Sequence, residues 1–501
     1  MTMAINLSWM HLCVVVVLAI FGIASRATTA GDVQMTSFNV MGSLRKTLDV
    51  FSFSVPEESS FQENTLFSSS SSSLESYSLE LHTRLSVGKT VEGAEDYGSL
   101  MAARLDRDLA RVRWLQTRGA REEEEKEEDE EMNSSSDATT WVPIISGVSQ
   151  GSGEYFARLK IGSPGREYYL VTDTGSDLTW LQCLPCSSCY KQTDPIFDPR
   201  NSSTYSTLPC AAQQCQWLHE SGYCSRDRRC MYEIAYGDKS TTAGELATES
   251  VALGSAAASQ HNYNKVPIGC GHSNKGLFAG ASGLLGLSRG PLSLPSQMNV
   301  ASFSYCLVDR DSTNSSTLEF FAYSTTTTND SSEGVVVARL IPQEGIFYLV
   351  DLIGISVGNN EMIPISAYPS GGGGAVIIDS GTSITRLHKD VYSSFRRDFL
   401  NASANLRTAA DPNHIFDTCY DFSNEESVQV PTVSFHFTDA GNMLELPAEN
   451  YLVPMDASGT FCLALFPTSS SISIIGNVQQ QGMRVTYDLH NSLIRFKPKQ
   501  C

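Results

Sequence analysis

Two stretches of the chain carry an apolar run into an acid, a hydroxyl residue, a glycine and a second hydroxyl residue. They are "YYLVTDTGS", ending at Ser176, and "AVIIDSGTS", ending at Ser383. Their acids, Asp173 and Asp379, stand 206 positions apart. A carboxylate at the end of a buried strand is costly to desolvate unless its neighbours satisfy it. Gly175 and Gly381 permit a tight turn that brings backbone N–H groups to each acid. Ser176 and Thr382 can donate to the outer carboxylate oxygens, and Thr174 and Ser380 can brace one motif against the other. If the two acids face each other, they cannot both ionise easily, so they share a proton and their titrations split apart. At acid pH the charged member takes a proton from a water held between them. That water attacks a peptide carbonyl while the neutral member stabilises the oxyanion, and proton return to the amide nitrogen completes hydrolysis. Such chemistry requires no metal, cofactor or covalent intermediate. A single Asp-Thr-Gly arises often by chance. Two in matched apolar contexts favour this chemistry over the plainer alternative, a strand-end turn capping each half.

The first motif runs on into "DLTWLQCLPCSSCY", where Cys183, Cys186 and Cys189 are spaced as metal or iron–sulfur ligands can be. The cysteine total argues otherwise. Of 13 cysteines, Cys13 lies in an N-terminal apolar run and the remaining 12 form an even set, as expected for disulfides in an oxidising compartment. A metal site needs reduced thiolates, which that compartment disfavours. Neither metal nor cofactor is expected. Asn-x-Ser sequons at Asn133, Asn201, Asn314, Asn329 and Asn401 agree with secretory passage as candidate glycosylation sites.

At 501 residues the chain is too long for one ordinary core. Its formal net charge of −20 argues against nucleic acid as a partner. Much of that charge lies in "EEEEKEEDEE" at 122–131, which reads as a solvated run. Residues 1–30 read as a signal peptide: Leu12 to Ile23 is unbroken and apolar but too short to span a bilayer. No later apolar run is long enough for a transmembrane helix. Residues 31–140 read as a propeptide rather than a domain, partly disordered, with a serine tract at 68–73 as a flexible linker. Within it, "LMAARLDRDLARVRWLQTR" at 100–118 places Leu105, Leu109 and Val112 at helical spacing and makes the segment basic through Arg104, Arg107, Arg111 and Arg113. Two readings stand side by side: an ordinary amphipathic helix, or a removable helix that docks on an acidic cleft.

From about Trp141 onward, short β-branched and aromatic runs alternate with Gly, Pro, Ser and Asn, which predicts a mainly β architecture. The acid motifs belong to a near-repeat, because each is followed by an apolar pair and a glycine: Leu284-Leu285-Gly286 and Ile474-Ile475-Gly476. Two tandem lobes, 141–335 and 336–501, facing each other across a central cleft, account for the length and the repeat. The glutamines at 479–481 and the histidines show no partner pattern and are expected to be solvated.

These motifs resemble those of pepsin-like aspartic proteases, and more narrowly the plant nepenthesin-like branch with its guard-cell protease group. The resemblance covers the whole chain. It rests on "ISGVSQGSGEYF", "DTGSDLTWLQC", "GLFAGASGLLGLSRGPLSLPSQ", "SFSYCLVDRDS", "FDTCYDFS", "VPTVSFHF" and "SIIGNVQQQGMRVTYDL". It implies a bilobal pepsin-like acid protease fold, a catalytic dyad of Asp173 and Asp379, and a flap over the cleft carrying Tyr236 in "AYGDKS". Trp180 would sit beneath the flap as a hydrogen-bond partner of that tyrosine, or simply pack in the core. Lys239 departs from the glycine usual at the flap tip, which bears on rate and specificity. The resemblance also implies the disulfides Cys183–Cys186, Cys189–Cys270, Cys210–Cys230, Cys215–Cys224, Cys306–Cys501 and Cys419–Cys462, a pairing that sequence alone cannot choose. The function implied is an aspartic endopeptidase made as a secretory zymogen. It would be monomeric, act on protein or peptide substrates at acid pH, and reside in the cell wall or extracellular space, the vacuole or the endoplasmic reticulum. The alternative is a glycosidase-inhibitor-like binding protein on the same fold. Relatives of that kind include some that have lost dyad residues, whereas both motifs and the flap tyrosine are intact here.

Overall fold

A computed structural model describes residues 33–49, 76–83, eleven residues between 97 and 113, and 155–501 apart from 237–239, 254–260, 277, 279, 310, 313–315, 323–333, 343–344, 366–374 and 439–441. The expected signal peptide, serine tract, acidic run, Lys239 and the sequons at Asn133, Asn314 and Asn329 lie outside the described residues. Asn201 and Asn401 are exposed.

The chain is mainly β, as its short alternating runs predict. A sheet of 15 strands extends from the first half into the second, and an 8-stranded and a 4-stranded sheet complete the second half. The near-repeat becomes a repeated strand arrangement. In the first half, Arg166–Asp173 lies parallel to Gly283–Gly286, which runs antiparallel to Trp180–Gln182. In the second, Ala375–Ile378 lies parallel to Ser473–Ile475, which runs antiparallel to Thr385–His388. Each acid therefore ends or follows a strand whose neighbour is the apolar pair found downstream in sequence. Those strands are buried on both faces, so they read as continuous apolar runs rather than alternating ones.

The glycine closing each apolar pair has a steric reason. The loop after each acid folds back over it, so a Cβ on Gly286 would stand 2.1 Å from the Asp177 carbonyl oxygen, and one on Gly476 2.5 Å from that of Ser383. Each glycine N–H is taken by a threonine of the same loop, Gly286 by Thr179 Oγ1 at 3.1 Å and Gly476 by Thr385 Oγ1 at 3.0 Å. Gly286→Ala is therefore expected to destabilise the chain by about 3 kcal/mol, the upper end for overpacking, because the colliding atom is backbone and cannot rotate away. A lowered thermal unfolding midpoint checks this, and an unchanged midpoint contradicts it.

Two described strands that precede the lobes in sequence pair with them. Met35–Asn39 pairs antiparallel with Ser427–Pro431 of the second half, and buried Phe38 meets Phe461 edge-on at 5.1 Å. Asn39 then caps the helix Val40–Asp49 by accepting the Gly42 N–H at 2.8 Å. Further on, Ser76–Thr83 lies inside the large sheet, bonded to Ser316–Phe321 on one side and to Tyr155–Ile161 on the other. Leu79 and Leu81 fill the core from this strand.

Disulfide pairing departs from the expected pattern in the cysteine-rich region. The structure forms Cys183–Cys270 and Cys186–Cys189, not Cys183–Cys186 and Cys189–Cys270. It forms Cys210–Cys224 and Cys215–Cys230, not Cys210–Cys230 and Cys215–Cys224. Depth explains both corrections. Cys183, Cys270, Cys215 and Cys230 are buried, whereas Cys186, Cys189, Cys210 and Cys224 lie nearer the surface, and each cysteine joins one at its own depth. Strand pairing assists: Trp180–Gln182 runs parallel to His261–Lys275 with Leu181 opposite Cys270, which brings Cys183 alongside. Cys306–Cys501 and Cys419–Cys462 are also formed. The three cysteines spaced like metal ligands are thus all in disulfides.

Candidate active site

Asp173 is the last residue of Arg166–Asp173, and Asp379 directly follows Ala375–Ile378. Both are fully buried. The turn after each acid satisfies it from its own motif. Gly175 N–H donates to Asp173 Oδ1 at 2.8 Å and Gly381 N–H to Asp379 Oδ1 at 3.2 Å. Ser176 Oγ donates to Asp173 Oδ2, and Thr382 Oγ1 to Asp379 Oδ2 at 2.5 Å. The middle hydroxyls brace the halves reciprocally: Thr174 N–H donates to Ser380 Oγ at 3.2 Å and Ser380 N–H to Thr174 Oγ1 at 2.9 Å. The structure thus brings together Asp173, Thr174, Gly175, Ser176, Asp379, Ser380, Gly381 and Thr382 at one place between the halves.

The described residues from 97 to 113 are helical and cross this place. Tyr97, Met101 and Leu105 pack with Ile384, Phe416 and Phe466. Val112 joins Phe347, Ile377 and Ile474, while Leu109 is half-buried. Arg111, from the same helix, reaches all four carboxylate oxygens. Its Nε donates to Asp379 Oδ2 at 2.9 Å, Nη1 to Asp173 Oδ2 at 3.0 Å, and Nη2 both to Asp379 Oδ1 at 3.0 Å and to Asp173 Oδ1. The guanidinium lies against Gly175 and Gly381, in space that a Cβ on either would invade. Burial alone would lower the Arg111 pKa, but the two carboxylates hold it well above its ordinary value. Burial alone would raise the Asp379 carboxyl. The Arg111 guanidinium, helped by Thr382 and the Gly381 N–H, more than offsets that and holds it below the usual aspartate value.

Tyr236 stands half-buried where the hairpin begins, its N–H donating to the Ser240 carbonyl at 2.8 Å. Trp180 Nε1 donates to Tyr236 Oη at 2.7 Å, and Phe278 meets the Trp180 ring edge-on at 4.9 Å. Trp180 is both core and hydrogen-bond partner.

The glutamines expected to be solvated are buried instead. Gln479 Oε1 accepts from Thr385 N–H at 3.1 Å and from Thr385 Oγ1 at 2.5 Å, and its amide nitrogen donates to the Asn450 and Ala464 carbonyls. Gln480 donates to the Gly476 carbonyl at 3.1 Å and accepts from Tyr305 Oη. A long side chain carrying both donors and acceptors meets the unpaired backbone groups left where Ser473–Ile475 ends, and so supports the loop that carries Asp379. Two other residues at the site carried no sequence signal of their own. Asp108, three positions before Arg111 on the same helix, pairs with Arg386 Nη2 at 2.6 Å. Arg386 belongs to the strand Thr385–His388, which follows the second acid motif.

Residues 155–320 match the family model described as xylanase inhibitor N-terminal, and residues 347–498 match xylanase inhibitor C-terminal. Aspartyl protease family protein 2 of Arabidopsis thaliana is 42% identical over 414 residues, which cover 80% of this chain and 81% of that protein. The chain belongs to the pepsin-like aspartic proteases of plants. Aspartic proteinase nepenthesin-1 of Nepenthes gracilis is a further relative in this aspartic protease family, 40% identical, covering 71% of this chain and 79% of its own. Of solved structures, edgp aligns with a TM-score of 0.56 at 20% identity, covering 69% of this chain and 92% of its own. Basic 7S globulin from soybean aligns at 0.55 and 19%, covering 69% and 93%. At those identities the likeness shows the fold that the aspartic proteases share, and no more. Among the described residues, no helix is long and apolar enough to cross a membrane.

Proposed function

We propose that the chain is an aspartic endopeptidase made as a secretory zymogen, that Asp173 and Asp379 are its catalytic dyad, and that the helix carrying Arg111 keeps it latent. One observation carries this reading: two fully buried carboxylates from matched motifs converge on a single guanidinium supplied by a segment outside both lobes. With the guanidinium gone, the space over Gly175 and Gly381 admits a water and a peptide carbonyl. The charged acid of the pair takes the water's proton, and the neutral acid donates to the carbonyl oxygen. Tyr236 lines the substrate cleft from the flap. Protein substrates, a monomeric state and an extracellular or cell-wall location belong to the same reading, with six disulfides in keeping with secretion.

Acid is the release signal. The Asp379 pKa is depressed while Arg111 is docked, so its contribution to docking is present above the undocked pKa and is lost as pH falls through the docked one. Asp108 acts in the opposite sense. Its burial outweighs the Arg386 charge and raises its carboxyl, so its contribution holds at low pH and weakens as pH rises. The dyad sets the direction because Arg111 is held by two carboxylates at once.

The test is hydrolysis of a denatured protein substrate between about pH 3 and about pH 7 by the full chain, before and after acid treatment. Expected are latency at neutral pH, cleavage after acidification and loss of the segment before about Trp141. No cleavage from acid-treated chain overturns the reading. The names of the matching family models favour a second reading, a binding protein that inhibits a plant-cell-wall glycosidase. Inhibition of a xylanase without any peptide cleavage would select it.

A further inference from the structure

Once the segment containing Asp108 leaves, Arg386 loses the one carboxylate it pairs with among the described residues. Asp108 and Arg386 are both almost fully buried, at 3% and 2% exposure. Three groups converge on the Asp108 carboxylate. Ser383 N–H and Ile384 N–H, the latter at 3.3 Å, donate to Oδ1, while Arg386 Nη2 donates to Oδ2 at 2.6 Å. The Arg386 guanidinium lies 4.3 Å from the centre of the Phe466 ring, and its buried Nε has no hydrogen-bond partner. Two backbone donors and an arginine held against an aromatic face form a built receptor for a carboxylate. Ser383 and Ile384 directly follow the Asp379 motif, which places the receptor beside the dyad.

We propose that Arg386, with the Ser383 and Ile384 N–H groups, is a carboxylate-binding subsite, filled by Asp108 in the precursor and by an acidic side chain of the peptide substrate afterwards. The proposal rests on the protease reading above. Asp108 and Arg111 are separated by roughly 4.5 Å of helix rise. An extended peptide covers that distance in about one to two residues at roughly 3.3 Å each. The acidic residue therefore belongs within about two positions of the scissile bond. Met101 and Leu105 share a buried apolar cluster with Ile384 and with Phe466, whose ring faces the Arg386 guanidinium, so an apolar neighbour suits the acidic residue.

The experiment uses the full chain, activated by acid and assayed near pH 5, where a free aspartate is ionised. Peptides identical except for Asp or Asn are compared at each position flanking the cleaved bond. At one position close to that bond, Asp is expected to exceed Asn roughly tenfold in kcat/KM, and the preference is expected to vanish in Arg386→Gln. A second measurement does not depend on that variant folding. A synthetic 97–113 peptide should inhibit the wild-type enzyme roughly tenfold better than the same peptide with Asp108→Asn. Equal cleavage at every position together with equal inhibition by the two peptides overturns the proposal and leaves the protease reading intact. If the activated chain cleaves nothing, the protease reading falls, and direct binding of the two labelled peptides decides the pocket: a roughly tenfold difference supports it and equal affinities overturn it.

Discussion

Asp379→Asn leaves the acid-treated chain with peptidase activity reduced by roughly 10²–10⁴-fold, the range over which general acid–base groups act. An amide cannot take a proton from water at acid pH, and Asn cannot share one with Asp173. The fold should survive, because the amide oxygen can still accept from the Gly381 N–H while the amide nitrogen donates to Thr382 Oγ1, whose hydroxyl can turn to accept. Unchanged thermal unfolding with lost cleavage is the expected pair of results. The variant also reports on latency. Arg111 donates to Asp379 through both Nε and Nη2, and a neutral amide keeps little of that charge-assisted attraction. Asp379→Asn precursor is therefore expected to lose its first segment to an added protease faster than wild type at neutral pH. Retained cleavage of substrate by the variant would remove Asp379 from the mechanism.

Arg111→Met unlocks the precursor without acid. Methionine keeps the apolar stem of the side chain against the cleft and discards only the charged fork. Removing one partner of a buried ion pair costs about 3–5 kcal/mol. That corresponds to roughly 10²–10⁴ in the equilibrium between docked and undocked helix. The two acids left behind share a proton, which returns part of that loss. The variant should thus show processing and cleavage at a pH where wild type is silent, measured as substrate hydrolysis by unacidified full chain. The pH dependence should change as well. With Arg111 gone, the depression of Asp379 disappears, and Asp108, whose carboxyl is raised by burial, favours docking at low pH rather than release. A variant that stays latent at neutral pH and still opens only in acid would show that another contact holds the helix.

The chemistry of the site was more legible than its supports. Asp-Thr-Gly-Ser and Asp-Ser-Gly-Thr state their own local geometry, since turn, donors and brace lie within four consecutive residues of each acid. The glycines that close the apolar pairs repeat visibly because both halves solve the same steric problem. The basic helix was recognisable from its spacing, but not which arginine enters the cleft; that depends on where Tyr97, Met101 and Leu105 seat its apolar stripe. Asp108 and Arg386 meet across 278 positions, and nothing local distinguishes either from a surface charge. Gln479 looks solvated because the carbonyls it satisfies, those of Asn450 and Ala464, lie 29 and 15 positions away. Within the cysteine-rich region the pairing follows depth, which is fixed only once the strands have packed. The strand Ser76–Thr83 is too short, and too close to a serine tract, to stand out before its partners are known.

That strand has a consequence for the life of the molecule. It is bonded on both sides within the large sheet, yet in the proposed zymogen it belongs to the part of the chain that processing before about Trp141 would sever. On that reading the precursor would carry all of the information needed to assemble its sheet, and a processed enzyme would no longer carry it in one chain. Folding would then be a one-way event: the active form would persist because it unfolds slowly, not because it can return. How long each copy lasted would be set by the height of its unfolding barrier.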